Sequence, residues 1–224
     1  MTPDGYTKDV LVSTAWVAEH GHEGGVVLAE VDENTALYDD GHIPGAVRLH
    51  WRDDLQDPVR RDVVDRAAFE RLLASRGVAN DTTVVLYGDK NNWFAAYAYW
   101  YLKLYGHDDV RLMDGGRQKW IDESRELTTA VAPVTPATYA ARDLDESLRA
   151  RRDQVLRVVV EGSEHLVDVR SPQEFSGELI AMPGYEQEGA QRAGHIPGAR
   201  SIPWARAVRD DGAFRPAEEL RALY

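Results

Sequence analysis

Few side chains in this sequence are placed to do chemistry, and the foremost candidate is a carboxylate. Asp89 follows Gly88 and precedes Lys90, Asn91 and Asn92, between the apolar run Thr82-Thr83-Val84-Val85-Leu86-Tyr87 and a helical stretch from Trp93 to Leu104. In an open parallel sheet, ligands sit beyond the carboxyl ends of the strands. Successive backbone N–H groups in a loop entering a helix stabilise negative charge there, and Asp89 sits where such a cradle would hold a charged atom. Asp is also a preferred helix N-cap; with no second acid obviously paired with it, the cap is the favoured reading. A hydrolase using Asp89 would need a partner base and a metal. The one cluster of ligand types, His20, His22 and Glu23, lies in a glycine-rich turn, so it reads as a loop and no metal site is expected. There is no cysteine, which excludes disulfides, thiolate metal sites and a cysteine nucleophile within these 224 residues.

Two histidines share a context. The hexamer Gly41-His42-Ile43-Pro44-Gly45-Ala46 returns at Gly194-His195-Ile196-Pro197-Gly198-Ala199, 153 positions on, and each copy runs on to a tryptophan, Trp51 and Trp204. Taken singly, each histidine reads as packed or hydrogen-bonded locally in a Gly/Pro turn. Repetition at so long a period implies two related domains rather than a solenoid.

The elements follow from hydrophobic spacing. Helices are expected over residues 12–20, 66–76 with Gly77 as the stop, 93–104, 117–122, 144–155 and 216–224. Strands are expected over 26–31, 46–50, 82–87, 110–113 and 165–170. Their alternation implies an α/β fold, a small parallel sheet in each domain covered by helices on both faces. The Thr/Ala/Pro-rich stretch breaks the pattern, giving a first domain at 12–127, a linker at 128–143 and a second domain at 144–224. The second copy inserts a longer loop, Ser176 to Ala193, before its hexamer. By the first copy's spacing, its counterpart of Val84 to Asn92 would begin about a dozen residues after Tyr224, so the second domain reads as incomplete.

With 26 basic and 38 acidic side chains the net charge is −12, which weighs against nucleic acid or an anionic membrane as partner. A solvated acidic surface explains that charge, and a local pocket can still be positive. Met1 to Asp9 is polar and unlike a signal peptide, and the longest mainly apolar run, Trp93 to Leu102, is too short to span a bilayer. A cytoplasmic protein is the expectation.

The order of strand, His-Ile-Pro-Gly-Ala turn, strand, helix, strand ending in a loop, helix, then Met113-Asp114-Gly115-Gly116 with Trp120 resembles the rhodanese domain. Leu166-Val167-Asp168-Val169-Arg170-Ser171-Pro172-Gln173-Glu174-Phe175 strengthens the likeness, and two such domains in tandem resemble a thiosulfate sulfurtransferase. The resemblance implies an inactive N-terminal copy and a working C-terminal one. In the working copy a loop cysteine takes the outer sulfur of thiosulfate, a small anionic donor, as a persulfide and hands it to cyanide or another thiophilic acceptor, without a cofactor; 3-mercaptopyruvate is the alternative donor. Asp89 then stands at the cysteine's place in the inactive-copy loop of Asp89, Lys90, Asn91 and Asn92. The working cysteine is expected beyond residue 224, carried by a C-terminal fragment of the same protein. Arg170 is a candidate for the substrate side between the domains, with an ion pair to a neighbouring acid as its other reading. Glu174 stands where some relatives place a substrate-contacting arginine, so that role does not carry over. A non-catalytic binding or regulatory module is the alternative, and the absence of cysteine favours it.

Overall fold

Val26–Glu30 (β2) and Thr83–Tyr87 (β4) are near-continuous apolar runs, the pattern of parallel strands covered on both faces. They pair in parallel from Val26↔Thr83 to Glu30↔Tyr87. Leu11–Val12 (β1), Val47–Arg48 (β3) and Val110–Met113 (β5) complete a parallel sheet of order β1-β5-β4-β2-β3. The computed structural model describes Tyr6, residues 10–186 and residues 189–224. The polar segment Met1–Asp9, Tyr6 aside, lies outside these residues, as do Gln187 and Glu188 of the long second-copy loop. Two compact units are present. One takes in residues up to Leu148 together with Asp210–Phe214, and the other comprises Arg149–Arg209 with Arg215–Tyr224.

In the first unit, side chains alternate across β4. Val85 and Tyr87 join a core with Val17, Leu28, Ile43, Met113 and Trp120. Val17 comes from Thr14–His20 (α1), which Ser13 caps by accepting from Trp16 N–H. Trp120 comes from Gly116–Asp122 (α5). Arg66–Ser75 (α3), capped by Asp65, and Asp89–Leu104 (α4) bury Phe69, Leu73, Ala98, Tyr101 and Leu102. Phe69, fully buried, stacks on Tyr105 at 4.5 Å and meets Tyr101 at 5.5 Å and Tyr139 edge-on at 5.9 Å. A short helix, Leu37–Asp40 (α2), leads into the first hexamer.

The stretch 128–143 has no regular structure but is strapped along the first unit. Several of its amides anchor it: Thr128 N–H bonds His42 O, Ala137 N–H bonds Ala74 O, Ala140 N–H bonds Asn80 Oδ1, Ala141 N–H bonds Glu70 Oε1, and Arg142 N–H bonds Tyr105 O. Tyr139 and Ala141 are buried.

The second unit holds Arg152–Glu161 (α6), Val167–Asp168 (β6), Pro172–Ser176 (α7), Arg200–Ser201 (β7) and Ala217–Leu223 (α8). The helix expected over 144–155 is displaced. Asp145 Oδ1 accepts from both the amide and the hydroxyl of Ser147 and tightens residues 146–148 into a single 3₁₀ turn. The Gln154 side chain then accepts from Arg151 N–H to start α6, which runs to a left-handed Gly162. Strands β6 and β7 form a two-stranded parallel sheet. Val167 and Asp168 face Arg200 and Ser201 just as Ala29 and Glu30 face Val47 and Arg48. No helix among the described residues is long and apolar enough to cross a membrane.

Phe69→Ala should cost about 3–5 kcal/mol from the lost contacts and the cavity left among three tyrosines. Phe69→Leu, the residue the repeat places at Leu220, should cost less. Urea unfolding followed by near-ultraviolet circular dichroism measures both, and equal midpoints for Phe69→Ala and the parent would exclude this packing role.

Candidate functional site

Tyr87 ends β4 and Gly88 turns the chain out of the sheet. Gly88 N–H donates to Asn92 Oδ1 at 3.0 Å and Asn92 Nδ2 donates to Met113 O at 2.7 Å, so a fully buried Asn92 closes the loop. Between them Lys90, Asn91 and Asn92 take left-handed φ values of 47°, 55° and 64°. Each costs a non-glycine residue about 1–2 kcal/mol, and three in succession persist only because neighbouring structure over-determines them. Part of that determination is glycine. A Cβ on Gly88 would lie 2.1 Å from Val31 O, and one on Gly116, at φ +59°, would lie 2.6 Å from Asn92 Oδ1. The Asp-Gly-Gly motif therefore lets α5 approach the loop.

Asp89 does not cap its own helix, contrary to the favoured expectation. Gly88 is the N-cap residue, and the left-handed turn that follows offers no right-handed first-turn amides to a side chain at position 89. The carboxylate instead accepts the N–H groups of Glu33 at 2.6 Å and Asn34 at 3.2 Å, in the loop after β2. The register Glu30↔Tyr87 brings that loop alongside. Lys90 is exposed, and Asn91 is half-buried.

A second correction concerns acid partners: Asp89 has one. Its N–H donates to Asp32 Oδ1 at 2.8 Å. Asp32 is buried, and burial first, then a hydrogen bond with Glu30 and the charges of Glu30 and Asp89, push its carboxyl up to about 9. Glu30 in turn is fully buried: Oε1 accepts from Arg117 Nη1 at 2.5 Å and Oε2 from the Tyr87 hydroxyl. Burial and the Glu30 charge raise the Tyr87 phenol well above its ordinary range, so it stays a donor. Arg117 also donates to the carbonyls of Gly41 and Leu37, fixing the turn into the first hexamer. The spacing Glu30-Val31-Asp32 at the carboxyl end of a buried strand was the available signal for this cluster. Nothing local marks Arg117 or Asn92, whose partners lie 87 and 21 residues away.

Both hexamer histidines are held locally and alike. His42 stacks on Tyr38 at 3.8 Å and its Nδ1 donates to Tyr38 O at 2.8 Å. His195 stacks on Phe175 at 3.7 Å and its Nδ1 donates to Phe175 O at 2.9 Å. A carbonyl only accepts, so the proton is on Nδ1 in each ring. Gly45 and Gly198 share φ values of +85° and +84°, which explains the glycine at that place in both copies. His20 hydrogen-bonds Glu23 at 2.9 Å and tilts onto Trp16, and among the described residues no three side chains gather to hold a metal.

In the second unit Arg170 grips Asp168 through Nε at 3.0 Å and Nη2 at 2.6 Å, and Nη2 also donates to Gly194 O at 2.8 Å. The pair holds the Asp168 carboxyl below its usual range and raises the guanidinium. Glu174 is used in a capping box with Ser171, its Oε2 accepting from Ser171 N–H at 3.1 Å.

Comparison with known proteins places this geometry. Residues 13–123 match the Rhodanese-like domain. Over 219 residues, 96% of this chain and 77% of the relative, the sequence is 59% identical to "Sulfur carrier protein TtuD" of Thermus thermophilus. The chain belongs to the rhodanese family of sulfurtransferases. A second rhodanese relative, "Putative thiosulfate sulfurtransferase" of Saccharopolyspora erythraea, is 54% identical over 217 residues, covering 97% of this chain and 76% of its own length. Among solved structures, the 3-mercaptopyruvate sulfotransferase SseA of Escherichia coli superimposes with a TM-score of 0.83 over 97% of this chain and 83% of its own. At 24% identity that likeness shows the rhodanese fold.

Two outcomes test the site. Folding keeps a proton on Asp32 that the unfolded chain loses near pH 3.8, so stability falls as pH climbs from about 4 towards about 9. Asp32→Asn keeps both hydrogen bonds without the ionisation and should flatten that decline, adding on the order of 1–3 kcal/mol at pH 8 and little at pH 4; parallel pH–stability curves for the two proteins would refute the assignment. Asp89→Ala, which strands the Glu33 and Asn34 amides, should lower stability by about 1–3 kcal/mol, read as a drop in the thermal midpoint.

Proposed function

We propose that the protein acts as a thiosulfate sulfurtransferase built from two rhodanese-like copies. Residues 12–127 are the catalytically silent copy, 128–143 the linker and 144–224 part of the working copy. The persulfide-forming cysteine lies outside these 224 residues. The observation that carries the reading is the match to named relatives at 51–59% identity over nearly the whole chain, seven of the first eight bearing the name "Putative thiosulfate sulfurtransferase" and one "Sulfur carrier protein TtuD". The doubled hexamer, the doubled histidine stack and the shared β-register support a tandem origin.

The chemistry is a double displacement. A thiolate attacks the outer sulfur of thiosulfate, a persulfide S–S bond forms, and sulfite departs with the electron pair of the broken S–S bond. A thiophilic acceptor such as cyanide then takes the outer sulfur and the thiolate is regenerated. Asp89 supports assignment of the first copy as silent: the loop position of the nucleophile holds a carboxylate already engaged by two amides. Thiosulfate is preferred to 3-mercaptopyruvate because the relatives that carry its name are more than twice as similar as the mercaptopyruvate enzyme.

One observation favours a second reading, a non-catalytic binding or regulatory module: the sequence contains no cysteine. Intact mass separates the two. The protein isolated from its own cells should include a species heavier than 25.1 kDa that gains one sulfur atom on exposure to thiosulfate, whereas a lone 25.1 kDa species gaining none would leave the module reading. The 224-residue chain by itself should form thiocyanate from thiosulfate and cyanide at the uncatalysed rate. Turnover by rigorously purified chain would overturn the need for an outside cysteine.

A further inference from the structure

Residues 137–142 lie along the first unit as an extended peptide would. Asn80 clasps Ala140 from both sides, its Nδ2 donating to the carbonyl at 2.7 Å and its Oδ1 accepting from the N–H at 2.9 Å. The N–H groups of Ala137, Ala141 and Arg142 reach Ala74 O, Glu70 Oε1 and Tyr105 O. Glycines that follow two helices make room for the strap: a Cβ on Gly77 would lie 3.2 Å from Val134 Cγ1, and one on Gly106 would lie 2.5 Å from Arg142 Cδ. The Asn80 clasp and the ion pairs of Arg142 with Asp108 and Arg66 with Asp143 are open to water, so each holds weakly. Among the described residues, one side-chain hydrogen bond of the strap is fully buried, between the Tyr139 hydroxyl and His107 Nδ1 at 3.1 Å.

His107, 2% exposed, also bonds Thr82 O through Nε2 at 2.9 Å. A carbonyl only accepts, so the proton is on Nε2, Nδ1 is the acceptor, and the Tyr139 hydroxyl is the donor. A second proton on the ring would take the lone pair that the hydroxyl uses and would place a charge where water does not reach. We infer that His107 and Tyr139 form an acid-opened latch, which holds residues 137–142 on the first unit while the ring is neutral and releases them when it is doubly protonated. The charged neighbours do not offset the cost of that proton. Lys103, whose Nζ donates to the carbonyls of His107 and Asp108, opposes a cation. Asp108 and Asp109 favour one, but Arg142 engages the first, and Arg111 and Thr83 the second. Arg142 and Glu70 act on the Tyr139 end with opposite signs. Burial outweighs them and holds His107 below its ordinary 6.5. The latch is therefore fully closed above pH 6.5 and is lost as pH falls through the lower value of the folded protein. It rests on the first unit alone and not on sulfur chemistry, so either can fail without the other.

Hydrogen exchange of the folded 224-residue chain, corrected for intrinsic rates, tests the latch between pH 7.5 and 5. Opening that takes up one proton should cost the Ala137, Ala140, Ala141 and Arg142 amides close to ~10-fold in protection for each pH unit below about 6. The β4 amides of Val84 and Leu86 should not follow. His107→Gln keeps a donor for Thr82 O and an acceptor for the Tyr139 hydroxyl without the titration, so the loss should flatten to less than ~3-fold across the range. Tyr139→Phe keeps the ring on Phe69 and should lower protection ~5-fold at pH 7.5. Nitrogen-15 shifts of the His107 ring in the parent protein need no variant: Nε2 should be protonated at pH 7.5, and Nδ1 should gain its proton in step with the loss of protection. The inference fails if Nδ1 carries the proton at pH 7.5, or if the ring stays neutral while the four amides open. It fails if His107→Gln loses protection as steeply as the parent, or if Tyr139→Phe is protected like the parent. It fails equally if Val84 and Leu86 open with the strap, which would make the transition unfolding of the whole unit.

Discussion

A fully buried carboxylate, Glu30, at the carboxyl end of β2 sets the terms for the first unit. An unpaired ion at such a place costs several kcal/mol, so partners must be delivered to it from elsewhere in the chain. Tyr87 arrives from the neighbouring strand and Arg117 from α5, the latter positioned by Gly116, whose missing side chain lets the helix begin against Gly88 and Asn92. Arg117 in turn ties down the Gly41 carbonyl and thereby the entry to the hexamer, whose Ile43 N–H donates to the same Tyr87 hydroxyl. The loop after β4, the turn before β3 and the start of α5 are thus one hydrogen-bonded assembly around one charge. Such an assembly fixes geometry more than it adds stability, since desolvation consumes much of the Coulombic gain.

The second unit meets the same demand with fewer parts. Asp168 occupies the place of Glu30, and its guanidinium comes from two residues along, not from a distant helix. Arg170 then donates to Gly194 O, as Arg117 does to Gly41 O. One function, joining the strand-end acid to the hexamer carbonyl, is filled by residues that no alignment of the two copies would pair. Asp168 and Arg170 are partly open to solvent, so their pair is screened and weaker than its buried counterpart.

That difference explains what the sequence displayed and what it hid. Most strand and helix positions in the first unit follow from apolar spacing, although Val12, expected at the start of a helix, pairs in β1 instead and the short α2 carried no such signal; the paired hexamers were visible as text because a Gly/Pro turn with a left-handed glycine tolerates few alternatives. Residues such as Asn92 and Arg117 look like ordinary polar loop and helix residues, because their roles are set by contacts that only folding creates. Asp89 was legible as a special position but not in its partners: the cap reading assumed a right-handed first turn, and three left-handed residues removed it. The helix expected at 144–155 failed for a related reason, since Asp145 and Gln154 each bonded locally and split one apolar pattern into two elements.

The group that stands two residues beyond the strand-end acid divides the two copies. In the first unit the position two residues past Glu30 is Asp32, a carboxyl raised by burial and crowded by Glu30 and Asp89. In the second unit the matching position is Arg170. An anion brought to the first site would face a protonated Asp32 carboxyl crowded by the Glu30 and Asp89 charges, whereas one brought to the second would face a guanidinium already paired with Asp168. A thiolate or persulfide needs the second kind of surroundings, because a neighbouring cation lowers thiol pKa and a neighbouring carboxylate raises it. A thiol placed at residue 89 would therefore sit among carboxyl groups that oppose its ionisation, and lowering its pKa would require changing the acids beneath it as well.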